Sequence, residues 1–273
     1  MKIKEIPISI FNTLRLSALS KKALVKNGGK SKLIVSLATI PSRLNIVHLT
    51  IRSILNQSTL PEKIILWLHK DLKNKVPKKL SVLEGEIFEI HFSELTCSHR
   101  KLVNALKIYP NKAIVTCDDD MIYRKDWLKN ICKAHKKNPS TIIANQVRCI
   151  TYKDNKVVAY KEWGATDGFC KNEKSLLPIG AGGTLYPPNS LFEDVTNSEL
   201  FLKLTPTTDD LWFKAMSLKQ NTISMISEYP TKEPIPIWGS QGVSLKKGNI
   251  KQDKNRIQWQ NVADYYNLHE LVK

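Results

Sequence analysis

The sequence contains no uninterrupted apolar stretch of the ~18–20 residues that a membrane-spanning helix needs. Its first thirty residues also lack a continuous apolar signal-peptide core followed by a cleavage site. Neither secretion nor a transmembrane anchor is therefore expected. We predict a cytoplasmic protein, with peripheral attachment to the inner face of the cytoplasmic membrane as a further option.

Cysteine is scarce, and its arrangement excludes two common site types. The five cysteines are odd in number, widely spaced and without a CxxC motif: Cys97, Cys117, Cys132, Cys149 and Cys170. This pattern argues against a disulfide framework and against a zinc site. A reducing compartment is the corresponding prediction.

Acidic residues are outnumbered, since 25 aspartates and glutamates face 42 lysines and arginines, which gives a net charge of +17. Such a balance predicts attraction to an anionic partner: nucleic acid, an acidic membrane surface, a phosphorylated glycan or a nucleotide. The chain has no recognised nucleic-acid module and no basic platform interleaved with aromatics. No nucleic-acid partner is expected, although a nucleic-acid-binding protein is kept as an alternative.

Residues 1–32 form a basic segment of their own, with eight basic side chains against the single acid Glu5. Ile10, Phe11 and Leu14 recur at helical spacing, so an amphipathic helix is predicted. Such a helix is typical of proteins that lie on anionic membranes. The alternatives are a helix packed on the domain surface and a disordered leader.

The chain is long enough for one large α/β domain with an ample core. Apolar periodicity after residue 32 predicts alternating strands (33–38, 63–68, 86–92, 113–117) and helices (42–55, 100–108). This order implies a parallel sheet with helices on both faces, and ligands bind such sheets beyond the carboxyl ends of the strands.

The pattern changes near residue 140. Further elements of a more mixed sheet are predicted there: strands at 141–150 and 157–163, a glycine-rich turn at 180–184 and a helix at 208–218. We predict a nucleotide-binding half at about 33–125 and an acceptor-binding half at about 140–240. Residues 241–273 are predicted to form a basic tail or a lid.

The most informative motif is the run Asp118, Asp119 and Asp120, which follows a predicted strand. Clustered carboxylates repel one another, and a hard divalent cation bound through oxygens removes that repulsion. Because side chains alternate along an extended segment, Asp118 and Asp120 are expected to share a face and to bind the cation. The other interpretation is that these acids cap the next helix.

Five motifs together resemble bacterial glycosyltransferases of the GT-A fold, close to the family 2 type. The motifs are VSLATIPSR at 35–43, TIRSILNQ at 50–57, DDD at 118–120, GAGG at 180–183 and TDDLW at 208–212. The resemblance covers residues 33–230. It implies a single Rossmann-like domain whose central, mostly parallel mixed sheet is flanked by helices. It also implies sugar transfer from a nucleotide-sugar donor, most simply a UDP-sugar, to a glycan or lipid-linked acceptor in surface polysaccharide or lipooligosaccharide synthesis.

The resemblance also implies roles for individual residues. Mn²⁺ or Mg²⁺ is expected on Asp120 and Asp118, where it would stabilise the departing nucleotide diphosphate; no third protein ligand is evident. Asp210 is expected to act as the base of an inverting transfer, with Asp209 orienting the acceptor, although a helix N-terminus also favours acids for purely structural reasons. The expected nucleotide contacts are Thr39, Pro41, Arg43, Lys101, Asp118 and Asp119.

Four further residues are predicted to contact the sugar or acceptor. Backbone amides of Gly182 and Gly183 would approach it closely, and Trp163 and Tyr186 would stack on a pyranose ring unless they belong to the core. The main alternative activity is that of a metal-dependent nucleotidyltransferase or nuclease. An inactive, glycan-binding relative is a third interpretation.

Overall fold

The computed structural model describes residues 5–26, 28–164, 170, 172–240 and 252–273. The strands in these residues are β1 (Gly29–Lys30), β2 (Ile34–Ala38), β3 (Thr59–Leu60), β4 (Lys63–His69), β5 (Phe88–Ser93), β6 (Ile114–Thr116), β7 (Met121–Ile122), β8 (Ile142–Ala144), β9 (Val147–Cys149), β10 (Tyr152–Lys153), β11 (Lys156–Val157), β12 (Leu176–Pro178), β13 (Thr184–Tyr186), β14 (Ser224–Ile226) and β15 (Ile235–Pro236).

The helices in the same residues are α1 (Ile6–Ala18), α2 (Lys21–Val25), α3 (Val47–Leu55), α4 (Lys78–Ser81), α5 (Arg100–Ile108), α6 (Trp127–Lys137), α7 (Ser198–Leu204), α8 (Asp209–Lys219), α9 (Lys254–Tyr266) and α10 (His269–Val272). Short 3-10 turns join several of them, including Pro41–Arg43 after β2 and Gly180–Gly182 before β13.

Seven of the described strands form the central sheet in the order β14-β8-β13-β6-β2-β4-β5. All neighbours are parallel except β13, which runs antiparallel to both β6 and β8. The prediction of a mostly parallel, mixed α/β sheet flanked by helices is therefore confirmed. The carboxyl ends of β2, β4, β6 and β8 and the amino end of β13 all meet at one edge.

Strand alternation divides the apolar residues between two cores, one on each face of the sheet. Along β4, Ile64 and Leu66 pack on one face, where α1 to α4 and α6 lie, while Ile65 and Trp67 pack on the other. The second face is covered by α5, α7, α8 and α9. Both faces of these strands are buried, which explains their continuous apolar sequence.

Three element predictions differ from the structure. The strand predicted at 141–150 is divided into β8, in the central sheet, and β9, which pairs with β12. The helix predicted at 42–55 is divided into the 3-10 turn and α3, and Pro41 begins that turn. The strand predicted at 157–163 is wrong, because only Lys156–Val157 is extended and Tyr160–Glu162 is a 3-10 turn. Here the apolar residues Tyr160 and Trp163 pack into a core from a loop.

The two chain ends pack on the domain. In the N-terminal segment, Leu16 and Leu24 are buried in the first core, and in α9 Trp259 is buried in the second. The first part of the predicted tail or lid, residues 241–251 with Gly242, Lys246, Lys247 and Lys251, lies outside the described residues, and α9 and α10 form most of the rest. The division of the chain into a leader, two halves and a tail stays a prediction.

Cys149 and Cys170 form a disulfide, 21 positions apart in sequence. The prediction that the cysteines are unpaired is wrong for these two, since the loop after β9 returns to the strand. One observation behind the prediction of a reducing compartment is thereby removed, and the cytoplasmic location stays a prediction. Among the described helices, none is both long and apolar enough to cross a membrane.

Candidate functional site

The three consecutive aspartates lie where β6 ends, and they take different directions. Residues 119 and 120 form a turn, so strand alternation does not extend through the run. Asp119 and Asp120 both face Arg43, while Asp118 faces Lys101. Asp118 and Asp120 therefore meet different cations, yet they lie close enough for the charge of Asp118 to act on Asp120, and their joint binding of a cation stays a prediction.

The buried Asp119 joins the end of β6 to the loop after β2 through hydrogen bonds. Its carboxylate accepts hydrogen bonds from the Thr39 hydroxyl and from Arg43 Nη1, the latter at 2.7 Å, and its backbone carbonyl accepts one from Thr50 Oγ1 at 2.8 Å. Burial raises the pKa of Asp119, and the charge of Arg43 opposes that rise. Thr39, Arg43 and Asp119 were predicted to contact the nucleotide; here they bind one another and fix the geometry of the loop.

Asp120 lies beside the other guanidinium nitrogen, with Arg43 Nη2 at 3.0 Å from its Oδ2. Burial and the nearby charge of Asp118 raise the pKa of Asp120 to about 7. Asp118 is the accessible member of the run, since 35% of its side chain is exposed, against 7% for Asp120. A ligand entering the cleft therefore meets Asp118 first.

Lys101 joins the aspartate run to α8. Its ammonium nitrogen lies 3.2 Å from Asp118 Oδ1 and 3.0 Å from Asp209 Oδ2. Burial by itself would lower the pKa of Lys101, but the charges of Asp209, Asp118 and Asp210 raise it well above its ordinary value. Lys101 is thus a permanently charged, buried cation between two sets of carboxylates.

Asp209 and Asp210 begin α8 and have opposite protonation preferences. Burial would raise the pKa of Asp209, but the charges of Lys101 and His99 and a 2.8 Å hydrogen bond from Ser98 Oγ lower it below its ordinary value. Burial, followed by the charge of Asp209, raises the pKa of Asp210 to about 8. Asp210 accepts one hydrogen bond from the Gly180 amide at 3.2 Å, and it is suited to exchange a proton near neutral pH.

Tyr123 and Trp127 hold the glycine turn beside the aspartate run through hydrogen bonds. Tyr123 Oη accepts a hydrogen bond from the Asp118 amide at 2.9 Å and donates one to the Ala181 carbonyl at 3.0 Å. Trp127 Nε1 donates to the Gly182 carbonyl at 2.8 Å. These bonds hold Asp118 and the 180–183 turn together.

Replacement of Gly183 by alanine is expected to destabilise the protein by about 3 kcal/mol or more, because it combines a steric clash with backbone strain. Gly183 has φ +94°, and a Cβ there would lie 2.6 Å from the Trp127 ring. Gly239→Ala is the matched control, since Gly239 has φ +84° and no atom of the described residues lies within 4 Å of where its Cβ would be. Chemical denaturation should show a loss of only about 1 kcal/mol for the control. Equal losses for the two variants would contradict the clash.

Five carboxylates meet two cations in this cluster, so its charge is net negative: Asp118, Asp119, Asp120, Asp209 and Asp210 against Arg43 and Lys101. That balance fits a divalent cation held by hard oxygen ligands. Within the described residues, however, no group of three histidine, cysteine, aspartate or glutamate side chains is arranged around one ion position. Asp118 and Asp120 would therefore hold Mg²⁺ or Mn²⁺ only together with oxygens of a bound substrate.

A cavity of about 530 Å³ opens on the other side of the loop after β2. Pro41 and Arg100 contribute to its wall, and His69 at the end of β4 and Leu72 lie across from them. Arg100 also donates a hydrogen bond to the Thr39 carbonyl. The cavity and the aspartate cluster therefore share one loop, with Pro41 facing the former and Arg43 the latter.

Several predicted contact residues lie in the core instead. Trp163 and Tyr186 are 1% and 3% exposed, so their rings offer no surface to a sugar. Gly182 is buried against Gln146, where a Cβ would meet that side chain at 2.7 Å. The buried His99 ring stacks on Phe201 with ring centroids 4.5 Å apart, and burial lowers the pKa of His99 to about 4.

The sequence analysis missed Ser98, Arg100 and Tyr123, which position the site residues. Ser98 and Arg100 both precede Lys101 within three positions, and their polar character at the start of a buried helix was an available signal. No sequence signal marks Tyr123, because its role depends on the turn made by the aspartate run.

No protein-family model and no curated protein matches the chain. Solved structures do match. One is 4-diphosphocytidyl-2C-methyl-D-erythritol synthase from Anaerococcus prevotii DSM 20548, with 13% identity, a TM-score of 0.46 and coverage of 85% of this chain and 98% of that one. Another is CMP:2-keto-3-deoxy-manno-octonic acid synthetase complexed with CTP, with 10% identity, a TM-score of 0.43 and coverage of 85% and 99%. A third is the inositol-1-phosphate CTP transferase from T. maritima, with 9% identity, a TM-score of 0.44 and coverage of 87% and 98%.

Likeness at this level concerns the fold alone. None of the three proteins is named as a glycosyltransferase. The prediction of glycosyl transfer is contradicted and is not retained, and the predicted resemblance is supported as far as the fold, without a family. The UDP-sugar donor and the glycan or lipid-linked acceptor find no support either.

Proposed function

We propose that the protein is a metal-dependent nucleotidyltransferase that uses a nucleoside triphosphate and an acceptor hydroxyl. One observation carries the proposal: a net negative aspartate cluster that contains the buried Lys101 and the half-buried Arg43 shares a loop with a cavity of about 530 Å³. That volume is within the range of about 300–1,000 Å³ typical of small-molecule sites. The cavity suits a nucleoside, and the cluster suits its phosphates.

The two cations support the phosphate end of this proposal. Arg43 and Lys101 lie on either side of the aspartate run and neutralise part of its charge. When bound by Asp118 and Asp120, Mg²⁺ or Mn²⁺ would neutralise phosphate oxygens as a Lewis acid. Lys101, buried and permanently charged, would attract the same oxygens as negative charge grows in the transition state.

The acceptor end is formed by Asp210 and the Gly180 amide. In the proposed step the acceptor oxygen bonds to the α-phosphorus, the bond to the bridging oxygen breaks, and pyrophosphate leaves with the electron pair. Asp210 takes the proton of the acceptor hydroxyl. A neutral hydroxyl suits this position better than a phosphate acceptor, because Asp118 and Asp209 would repel an anion there.

A thermal-shift series with CTP, UTP, ATP and GTP, each with Mg²⁺, with Mn²⁺ or with EDTA, tests the nucleotide and the metal together. We expect one triphosphate to stabilise the protein only when a cation is present, by roughly 2.7 kcal/mol at 100 times its dissociation constant. Pyrophosphate release with a panel of hydroxyl acceptors tests the reaction. Stabilisation by sugar nucleotides alone, with no effect of any triphosphate, would contradict nucleotidyl transfer.

Asp120→Asn separates the metal from the nucleotide, because it removes a ligand charge and leaves Arg43 paired with Asp119. We expect the cation-dependent part of the shift to disappear. Asp126→Asn is the matched control, since this aspartate is close in sequence but 61% exposed. A cation-dependent shift that persists in Asp120→Asn would show that the metal binds elsewhere.

A further inference from the structure

Helix α1 has two apolar faces, and in the described part of the chain only one of them is covered. Leu16 and Ser9 are fully buried against the domain. On the opposite side Ile10, Phe11 and Leu14 are 38%, 63% and 66% exposed. Their spacing of one, three and four residues places them on a single stripe. A stripe of large apolar side chains at this exposure is a feature of interaction surfaces.

Trp238 is attached to the same helix. The Ser9 hydroxyl donates a hydrogen bond to the Pro236 carbonyl at 2.8 Å and accepts one from the Trp238 amide at 2.9 Å. The Trp238 side chain is 60% exposed. Because Ser9 lies on the covered face, these bonds place Trp238 beside the helix and not on the stripe itself. We refer to the stripe of Ile10, Phe11 and Leu14 together with the exposed Trp238 as the α1–Trp238 surface.

The charges around this surface identify its partner. Residues 5–26 carry four basic side chains, Arg15, Lys21, Lys22 and Lys26, all of them exposed, against the single acid Glu5. A second copy of this chain would bring another net charge of +17 to the contact, and like charges oppose such an association. Anionic headgroups above an apolar layer satisfy both the cations and the stripe.

We propose that the α1–Trp238 surface inserts into the interface of an anionic lipid bilayer. Tryptophan, phenylalanine and leucine would enter the headgroup and acyl boundary, and the basic residues of α1 and α2 would pair with lipid phosphates. This inference does not depend on the reaction proposed above.

The surface is also linked to the aspartate cluster. β15 pairs with β7, the strand that follows Asp120, and the Ile237 amide donates a hydrogen bond to the Asp120 carbonyl at 2.9 Å. Trp238 is the next residue. A bilayer bound at this surface would therefore lie near the aspartate cluster.

Tryptophan fluorescence offers a direct test, because Trp238 differs from the other tryptophans of the chain. All six lie in the described part of the protein, and the other five are at most 4% exposed. Vesicles with phosphatidylglycerol should shift the emission to shorter wavelength, and bromine-labelled lipids should quench it. Vesicles of phosphatidylcholine alone should do neither, and added salt should weaken the anionic binding.

The double variant Phe11→Ser/Leu14→Ser is expected to bind phosphatidylglycerol vesicles at least tenfold more weakly in co-sedimentation. Ile223 is an exposed apolar residue directly before the edge strand β14, with 56% of its surface accessible. The control variant Ile223→Ser should bind as the wild type does. Circular dichroism checks that both variants are folded. Binding that is unchanged in the double variant, no binding to anionic vesicles, or self-association that the double variant abolishes would each overturn the proposal.

Discussion

Replacement of Lys101 by methionine is expected to lower the free energy of unfolding by about 3–5 kcal/mol, the usual cost of leaving a buried charge without its partner. Methionine has a similar length and no charge. Its thioether would leave Asp118 and Asp209 facing each other without the ammonium that lies 3.2 Å and 3.0 Å from them. At neutral pH, Asp209 would then have to take up a proton or stay buried as a charge without its partner.

Denaturation of two further variants identifies the cause of that loss. Lys107→Met changes an exposed lysine of the same helix and should shift stability by less than about 0.5 kcal/mol. Lys101→Met/Asp209→Asn removes one of the stranded charges and should recover part of the loss, so that the two substitutions are not additive. A Lys101→Met variant as stable as the wild type would show that the ammonium does not hold the cluster together.

Helix α5 illustrates which parts of the fold the sequence predicts well. Its bounds, Arg100–Ile108, agree with those predicted from the apolar periodicity of Leu102 and Val103, and both side chains are buried. The strands before it are also found within a few residues of their predicted bounds, because both of their faces are buried and the sequence is continuously apolar. The bounds of helices and strands with a regular pattern of burial can therefore be predicted from the local sequence.

The loops are less predictable, since their side chains are positioned by distant residues. Tyr160 and Trp163 suggested a strand, yet they reach the core from a 3-10 turn. Cys149 and Cys170 meet because a loop returns to β9, which spacing alone does not reveal.

The residues of the candidate site meet at the sheet edge predicted for them, but some of the contacts among them differ from the prediction. The carboxyl ends of parallel strands bring Arg43, Lys101 and the aspartate run together, and this follows from topology. The pairing of Arg43 with Asp119 and Asp120 follows from a turn inside the run, which an acidic triplet cannot specify. The acidic motif does not specify the type of reaction either, because carboxylates that bind a metal and phosphates occur in enzymes that catalyse several kinds of transfer.

Asp210→Asn is expected to make the protein more stable at pH 8 while reducing turnover by at least ~100-fold, the lower scale for losing a general base. In the native protein, burial and Asp209 raise the pKa of Asp210 from 3.8 to about 8. Between these pH values the native state keeps a proton that the unfolded chain has released. The free energy of unfolding of the wild type must therefore fall as pH rises from about 4 to about 8, by at most about 1.4 kcal/mol per pH unit from this group.

Asparagine cannot ionise, so residue 210 does not lower the free energy of unfolding of the variant as the pH rises. Its advantage over the wild type should be largest at pH 8, should shrink as the pH is lowered, and should vanish below about pH 4, where aspartate is protonated in both states. Urea denaturation at several pH values measures this difference, with the exposed Asp154→Asn as the control. An advantage that does not change with pH would mean that Asp210 is ionised in the native state at all these pH values. The proposed base would then have an ordinary pKa, and the pH dependence of turnover would have to come from Asp120 or another group.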